Sequence, residues 1–175
     1  MCPGGTVVNA SSEQKHLCVN GMSYFARDLE YANAAIVVTV NPDDTGAGIF
    51  SGIEFQRTLE KKAFLHGGDS FYAPVQSVDS FLKNKTDSIT IHTSYMPGVT
   101  NSNFNEILPQ WISEEIKLGL QNFNKKMNGF ISSEAHFIGV ETRTSSPIRI
   151  VRDNKFESIS HKGIFPIGEG AGYAG

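Results

Sequence analysis

The last thirteen residues, GIFPIGEGAGYAG from Gly163 to Gly175, hold the densest set of residues able to do chemistry. An apolar run, Gly163 to Ile167, leads into a loop with glycines at 168, 170, 172 and 175. The last three spell G-x-G-x-x-G. Glycines let a backbone close on a phosphate, and the N–H groups at the start of a following helix receive the anion. A complete dinucleotide fold needs about thirty residues of βαβ and an acidic residue roughly twenty positions further on. The pattern alone therefore also fits a glycine-rich tail. Glu169 strengthens the functional reading, because an acid between glycines can accept hydrogen bonds from a polyol chain or a ribose.

A second polar cluster is Glu141-Thr142-Arg143-Thr144-Ser145-Ser146-Pro147. Arg143 could clamp a carboxylate or phosphate bidentately, and the hydroxyls of Thr144, Ser145 and Ser146 could orient a bound group. The plain alternative is a turn with a solvated arginine. Cys2 precedes Pro3-Gly4-Gly5, a tight-turn sequence, and a thiolate there would need nearby positive charge. It has no C-x-x-C partner. Cys18 reads as core. The five histidines, at 16, 66, 92, 136 and 161, show no H-x-x-x-H spacing, so no metal site is expected. Neither Ser51 nor Ser70 makes G-x-S-x-G.

These residues need a scaffold, and 175 residues suffice for one domain with an ordinary core. The chain is 39% hydrophobic and 19% charged, with a net charge of −3. That balance gives no footprint for nucleic acid or an anionic membrane. No apolar run approaches a membrane span, and the N-terminus lacks a signal-peptide pattern. A cytoplasmic protein is the expectation.

Strands are expected at 6–10, 16–19, 34–40, 89–93, 134–142, 147–151 and 163–167. The β-branched run AAIVVTV, 34–40, reads as a strand buried on both faces. Asn41 to Asp44 and Asp153-Asn154 read as turns. Ser51 and Glu54 have capping-box spacing, Phe55, Leu59 and Ala63 repeat every four residues, and Gly67-Gly68 stops the helix. A short helix or loop is expected near Val78 to Leu82. Asn103 and Glu106 pair as a second cap. Leu108, Ile112, Ile116, Leu120, Phe123 and Met127 then line one helical face up to Gly129. Strands and helices lack regular βαβ alternation. The expected class is α+β, with a mixed, largely antiparallel sheet and two to four helices.

Several segments occur together in a recognisable order: MCPGG…VVNASSE, NGMSYFARD…NAA, GIEFQRTLEKKAF, SYMPGV before a helix, GVETRTSSPIRIVRD, and GIFPIGEGAGYAG. Over essentially the whole chain they resemble the C-terminal half of the bacterial FAD-dependent dehydrogenase-like proteins. ETRTSSP and GEGAGYAG are the most specific parts.

The resemblance implies an inserted or C-terminal domain of a flavoprotein, with FAD as cofactor of the full-length protein. The partner would be an N-terminal FAD-binding region of the same polypeptide, carrying its own glycine fingerprint. Residues 1–162 would form the substrate-side domain. Residues 163–175 would be a returning strand and an FAD-contacting loop cut off before its helix. Gly168 and Glu169 would face the ribityl chain or pyrophosphate. Gly170, Ala171, Gly172, Tyr173, Ala174 and Gly175 would approach the flavin. Arg143 to Ser146 and the Cys2 turn would lie on the flavin-facing side, with Arg143 and Cys2 as the catalytic candidates. The substrate would be a small molecule of unknown identity. A 175-residue piece lacking the fingerprint is expected to be inactive and flavin-free by itself. The competing reading is a non-catalytic α+β interaction module, which unrelated flanking sequences would favour.

Overall fold

The computed structural model describes residues 2–88 and 90–173. Their backbone falls into two units. The first comprises residues up to Thr39 together with Arg57–Thr142, and the second comprises Val40–Gln56 together with residues from Arg143 onward. The class is α+β, as the interspersed strand and helix patterns imply.

The first unit holds two three-stranded sheets. In one, β1 (Cys2–Asn9) lies between β2 (Val19–Ser23) and β3 (Tyr31–Asn33), antiparallel to both. Val7 faces Gly21 in the β1–β2 register. The connecting loop is tied by Ala10 N–H to Cys18 O at 2.8 Å and by Cys18 N–H to Ser11 Oγ at 3.0 Å. Expected positions 16–18 therefore belong to this loop, although Leu17 and Cys18 are buried.

In the other sheet β4 (Ala73–Ser77) is central, parallel to β5 (Val99–Asn101) and antiparallel to β6 (His136–Ile138). The sequence reading places no strand at β4. Its Pro74 argues against a central strand, since proline cannot donate to a ladder. Here Pro74 takes part as an acceptor, receiving Gly139 N–H at 3.2 Å. Around this sheet Phe137 meets Phe81 at 5.1 Å and Phe104 at 6.0 Å between ring centroids. A Cβ on Gly139 would stand 2.7 Å from the Phe104 ring, so only glycine lets that ring pack down.

The helices follow their periodicity closely. α1 (Pro42–Thr45) is a single turn where a turn was expected, held by Asn41 N–H to Asp44 Oδ2 at 2.7 Å. α2 (Ser51–His66) buries Leu59, Glu60, Ala63 and Phe64, and Gly68 ends it with φ 84. Ser51 is already helical, and its hydroxyl donates to Gly46 O at 2.9 Å instead of capping. α3 (Val78–Leu82) is capped by Ser77, which receives Ser80 N–H at 3.1 Å. α4 (Phe104–Ile107) is capped by Asn103. α5 (Gln110–Lys126) buries Ile112, Ile116 and Leu120 and ends in Lys125-Lys126, which suits its dipole.

Several strand expectations are corrected. Residues 34–40 form no ladder among the described residues, and Val37 is 63% exposed. Residues 90–93, 147–151 and 163–167 are likewise outside named strands, and β6 covers only part of 134–142. A β-branched run favours an extended backbone, but a strand exists only where a neighbour completes its hydrogen bonds. Ile89, at the start of one expected strand, lies outside the described residues.

Candidate functional site

The second unit carries the glycine turn. Gly168 leads in with φ 96, and Glu169–Ala171 form one 3-10 turn. Ala171 N–H and Tyr173 N–H both donate to Gly168 O, at 3.1 and 2.8 Å, and Gly172 N–H donates to Glu169 O at 2.9 Å. Gly172 adopts a left-handed conformation, φ 83 and ψ 30. Side chains rarely tolerate such angles, which explains two of the glycines by backbone geometry. Ala171 is buried, while Glu169 and Tyr173 are exposed. Ala174 and Gly175, the final two expected cofactor contacts, lie outside the described residues.

A different constraint fixes Gly170. Its carbonyl receives Ile150 N–H at 2.7 Å. A Cβ there would stand 2.8 Å from Ser146 Oγ and 3.3 Å from Ile148 O. Ser146 in turn donates to Ile148 O at 2.9 Å. The fold thus joins two segments singled out separately in the sequence, the end of ETRTSSP and the start of GAG. Within the polar cluster, Arg143, Thr144 and Ser145 are exposed and Ser146 is half-buried. Pro147 packs on Gly52 of α2, where a Cβ would come within 3.0 Å of the proline.

Sequence reasoning overlooked Arg152. It sits in a small hairpin made by an isolated bridge between Arg152 and Ser158. The expected Asp153-Asn154 turn is present, with Asp153 Oδ1 receiving Lys155 N–H at 2.8 Å and Glu157 N–H at 3.0 Å. Arg152 Nη1 donates to Pro166 O at 2.9 Å, and its guanidinium lies 5.1 Å from the Phe156 ring centroid. Its Nη2 is the nearest atom, at 3.6 Å, to where a Cβ on Gly172 would stand. The i, i+4 spacing of arginine and phenylalanine was the available signal, but in a hairpin that spacing has no fixed meaning.

Cys2 belongs to the first unit. It is half-buried in β1 opposite Asn33, and the register slips between Cys2 and Gly5. The expected Pro-Gly turn is therefore a bulged strand. Gly4 has φ 51 there, and a Cβ would meet Arg27 O at 2.0 Å. The first unit also buries a polar group that the sequence did not flag. Glu60, 1% exposed, accepts the Thr142 hydroxyl at 2.6 Å, and Cys18 Sγ lies 3.7 Å from that hydroxyl. Next to Thr142, burial pushes the Glu141 carboxyl up.

Among the described residues no group of three His, Cys, Asp or Glu side chains is placed to hold a metal ion. No helix among them is long and apolar enough to cross a membrane.

A family model described as "FAD-dependent protein, C-terminal domain-like" matches residues 1–144. An uncharacterized protein of Clostridium beijerinckii is 47% identical over 178 residues, covering all of this chain. The chain spans about a third of that relative's length. By the extent of the family match and by this identity, the chain belongs to the family of FAD-dependent protein C-terminal domains.

Proposed function

We propose that this chain is the substrate-side part of an FAD-dependent oxidoreductase, and that the Gly168–Tyr173 turn is its contact with the cofactor. The observation carrying this reading is the construction of that turn. Gly168 has open space where a Cβ would stand. Among the described residues the N–H groups of Glu169 and Gly170 donate to no partner, whereas those of Ala171, Gly172 and Tyr173 are used within the turn. Unpaired donors beside the open Gly168 suit the pyrophosphate or ribityl oxygens of FAD. Family membership supplies the cofactor class. The residues present fit the group.

When bound, FAD supplies the electron transfer. The chain's own residues then bind and orient. Glu169, exposed beside the turn, accepts hydrogen bonds from ligand hydroxyls. Arg143, also exposed, meets an anionic substrate group, with Thr144, Ser145 and Ser146 beside it in sequence. Cys2 is the weaker second candidate for catalysis. Residues 1–162 serve the substrate side and 163–175 the cofactor.

The test is the flavin spectrum of the longer polypeptide, followed by a screen of small molecules that bleach it. Flavin retained by the longer polypeptide and bleached by a small molecule is the expected result. A longer protein that neither retains FAD nor is reduced by any small molecule sinks the proposal. Arg143→Ala should then damage turnover or substrate affinity more than stability. Unchanged kinetics would remove Arg143 from the site. The 175-residue chain by itself should purify without stoichiometric flavin.

A further inference from the structure

We infer that Asn128 is a site of spontaneous deamidation, and that its isoaspartate product loosens the C-terminal end of α5. The reaction is between Asn128 and the next residue, Gly129, and uses only water besides.

Asn-Gly occurs twice in the chain, at Asn20-Gly21 and Asn128-Gly129. A glycine lacks the Cβ that would crowd its own backbone nitrogen, and its backbone turns freely. That nitrogen can therefore reach the preceding side-chain carbonyl carbon. In the first step Gly129 N gives up its proton and bonds to Asn128 Cγ. The Cγ–Nδ2 bond breaks, and Nδ2 leaves as ammonia, taking up the proton that Gly129 released. Water then adds to one of the two carbonyls of the cyclic imide and breaks one C–N bond. Opening at the side-chain carbonyl gives aspartate. Opening at the backbone carbonyl gives isoaspartate, in which the chain runs through the former side chain.

The fold treats the two sequences differently. Asn20 and Gly21 lie in the β1–β2 ladder, opposite Val8 and Val7. Asn33 lies across the same strand. Its Nδ2 donates to Met22 O at 3.2 Å, and its Oδ1 would stand 2.5 Å from a Cβ on Gly21. Ring closure must rotate the Asn20–Gly21 peptide out of register, which breaks ladder bonds and these contacts together.

Asn128 and Gly129 are exposed and follow α5. Their turn is closed by Phe130 N–H donating to Met127 O at 3.0 Å. Gly129 N–H has no acceptor among the described residues. Gly129 has φ 86, and nothing lies within 4 Å of where its Cβ would stand. The attacking nitrogen is unengaged, the ring has room to form, and water reaches it.

The two products load the turn differently. Aspartate adds a carboxylate near the negative end of the α5 dipole, but Lys125 and Lys126 in the last turn offset it. Isoaspartate adds a backbone atom between Met127 and Phe130. Two contacts depend on that length. Ile131 N–H donates to Asn124 Oδ1 at 3.1 Å, and the Phe130 ring meets Phe123 at 5.4 Å between centroids.

The experiment ages the longer polypeptide at mildly alkaline pH, once native and once in denaturant. Peptide mass mapping follows conversion at both sites, and an isoaspartyl methyltransferase assay identifies the isoaspartate. In the native protein Asn128 should convert severalfold faster than Asn20. In denaturant the two should convert at similar rates, which assigns the protection of Asn20 to the fold. Equal rates at the two sites in the native protein overturn the inference, as does an Asn128 that converts only in denaturant. Hydrogen exchange of the Ile131 amide tests the structural half. It should be severalfold faster in the isoaspartate fraction than in unaged protein, and unchanged in Asn128→Asp, which carries the charge without the longer backbone. Equal exchange in the isoaspartate fraction and in unaged protein would show that the turn absorbs the extra atom, against the inference.

Discussion

Ser146 and Gly170 lie so close that a Cβ on the glycine would stand 2.8 Å from the serine hydroxyl oxygen, which is itself bonded to Ile148 O. They are twenty-four residues apart, one closing the polar ETRTSSP segment and the other inside the glycine turn. The two segments meet there, beside the hydrogen bond from Ile150 N–H to Gly170 O at 2.7 Å. Gly170→Ala should displace the Ser146 hydroxyl and destabilise the second unit by about 1 kcal/mol, the scale of one hydrogen bond. In a Ser146→Ala background the same substitution should cost less. A double-mutant cycle from denaturant unfolding of the longer polypeptide reads the coupling. Strict additivity would show that the contact carries no energy.

Arg152 fixes the approach to the turn through Pro166 O and the face of Phe156. Arg152→Ala should cost about 1–2 kcal/mol, combining a charged hydrogen bond with a partly exposed cation–π contact. Arg152→Lys should recover little, since an ammonium does not reproduce the planar fork. If Pro166 is thereby released, FAD affinity of the longer polypeptide falls while Arg143-dependent substrate effects persist. Flavin titration of the two variants is the measurement.

Asp87 ties β4 to α3. It accepts Ser77 N–H, Ser77 Oγ and Ser80 Oγ, each at 2.7 Å. Burial acts to raise its pKa, but these three donors outweigh it and hold the carboxyl below its ordinary value of 3.8. The folded state therefore binds the proton more weakly than the unfolded one. Its stabilisation is present above pH 3.8 and is lost as the pH falls through the lowered value. Asp87→Ala should cost about 1–2 kcal/mol at neutral pH, discounted for its partial exposure. The difference from wild type should shrink in strong acid. A gap that stays constant down to acid unfolding would contradict this.

Tyr95 gives the opposite end of the pH scale. It is buried, its hydroxyl donates to Phe71 O at 2.9 Å, and burial pushes its pKa up from 10.0 to about 12. The folded state holds this proton more tightly, so the contribution is complete below pH 10 and is lost as the pH rises toward about 12. Thermal unfolding should show that loss in wild type. Tyr95→Phe should lower stability modestly at neutral pH and flatten the alkaline decline. An unchanged alkaline slope in the variant would assign the decline to other groups.

The sequence by itself determined the elements whose signals are local. α2 and α5 follow apolar residues spaced three or four apart, and Gly68 and Gly129 stop helices with positive φ. Each depends on neighbours within one or two turns, so the chain need not be folded for the pattern to be read. The glycine turn was legible for the same reason, because Gly168 and Gly172 answer to their own backbone angles. Strands were not legible in this way. The run 34–40 looks more strand-like than β4, yet β4 is the central strand despite Pro74, because pairing depends on partners far along the chain. Tertiary structure alone decided that Gly170 must be glycine for Ser146, that Arg152 holds Pro166, and that a buried Glu60 meets Thr142. Those contacts join residues fourteen to eighty-two positions apart, and no local pattern encodes such a meeting.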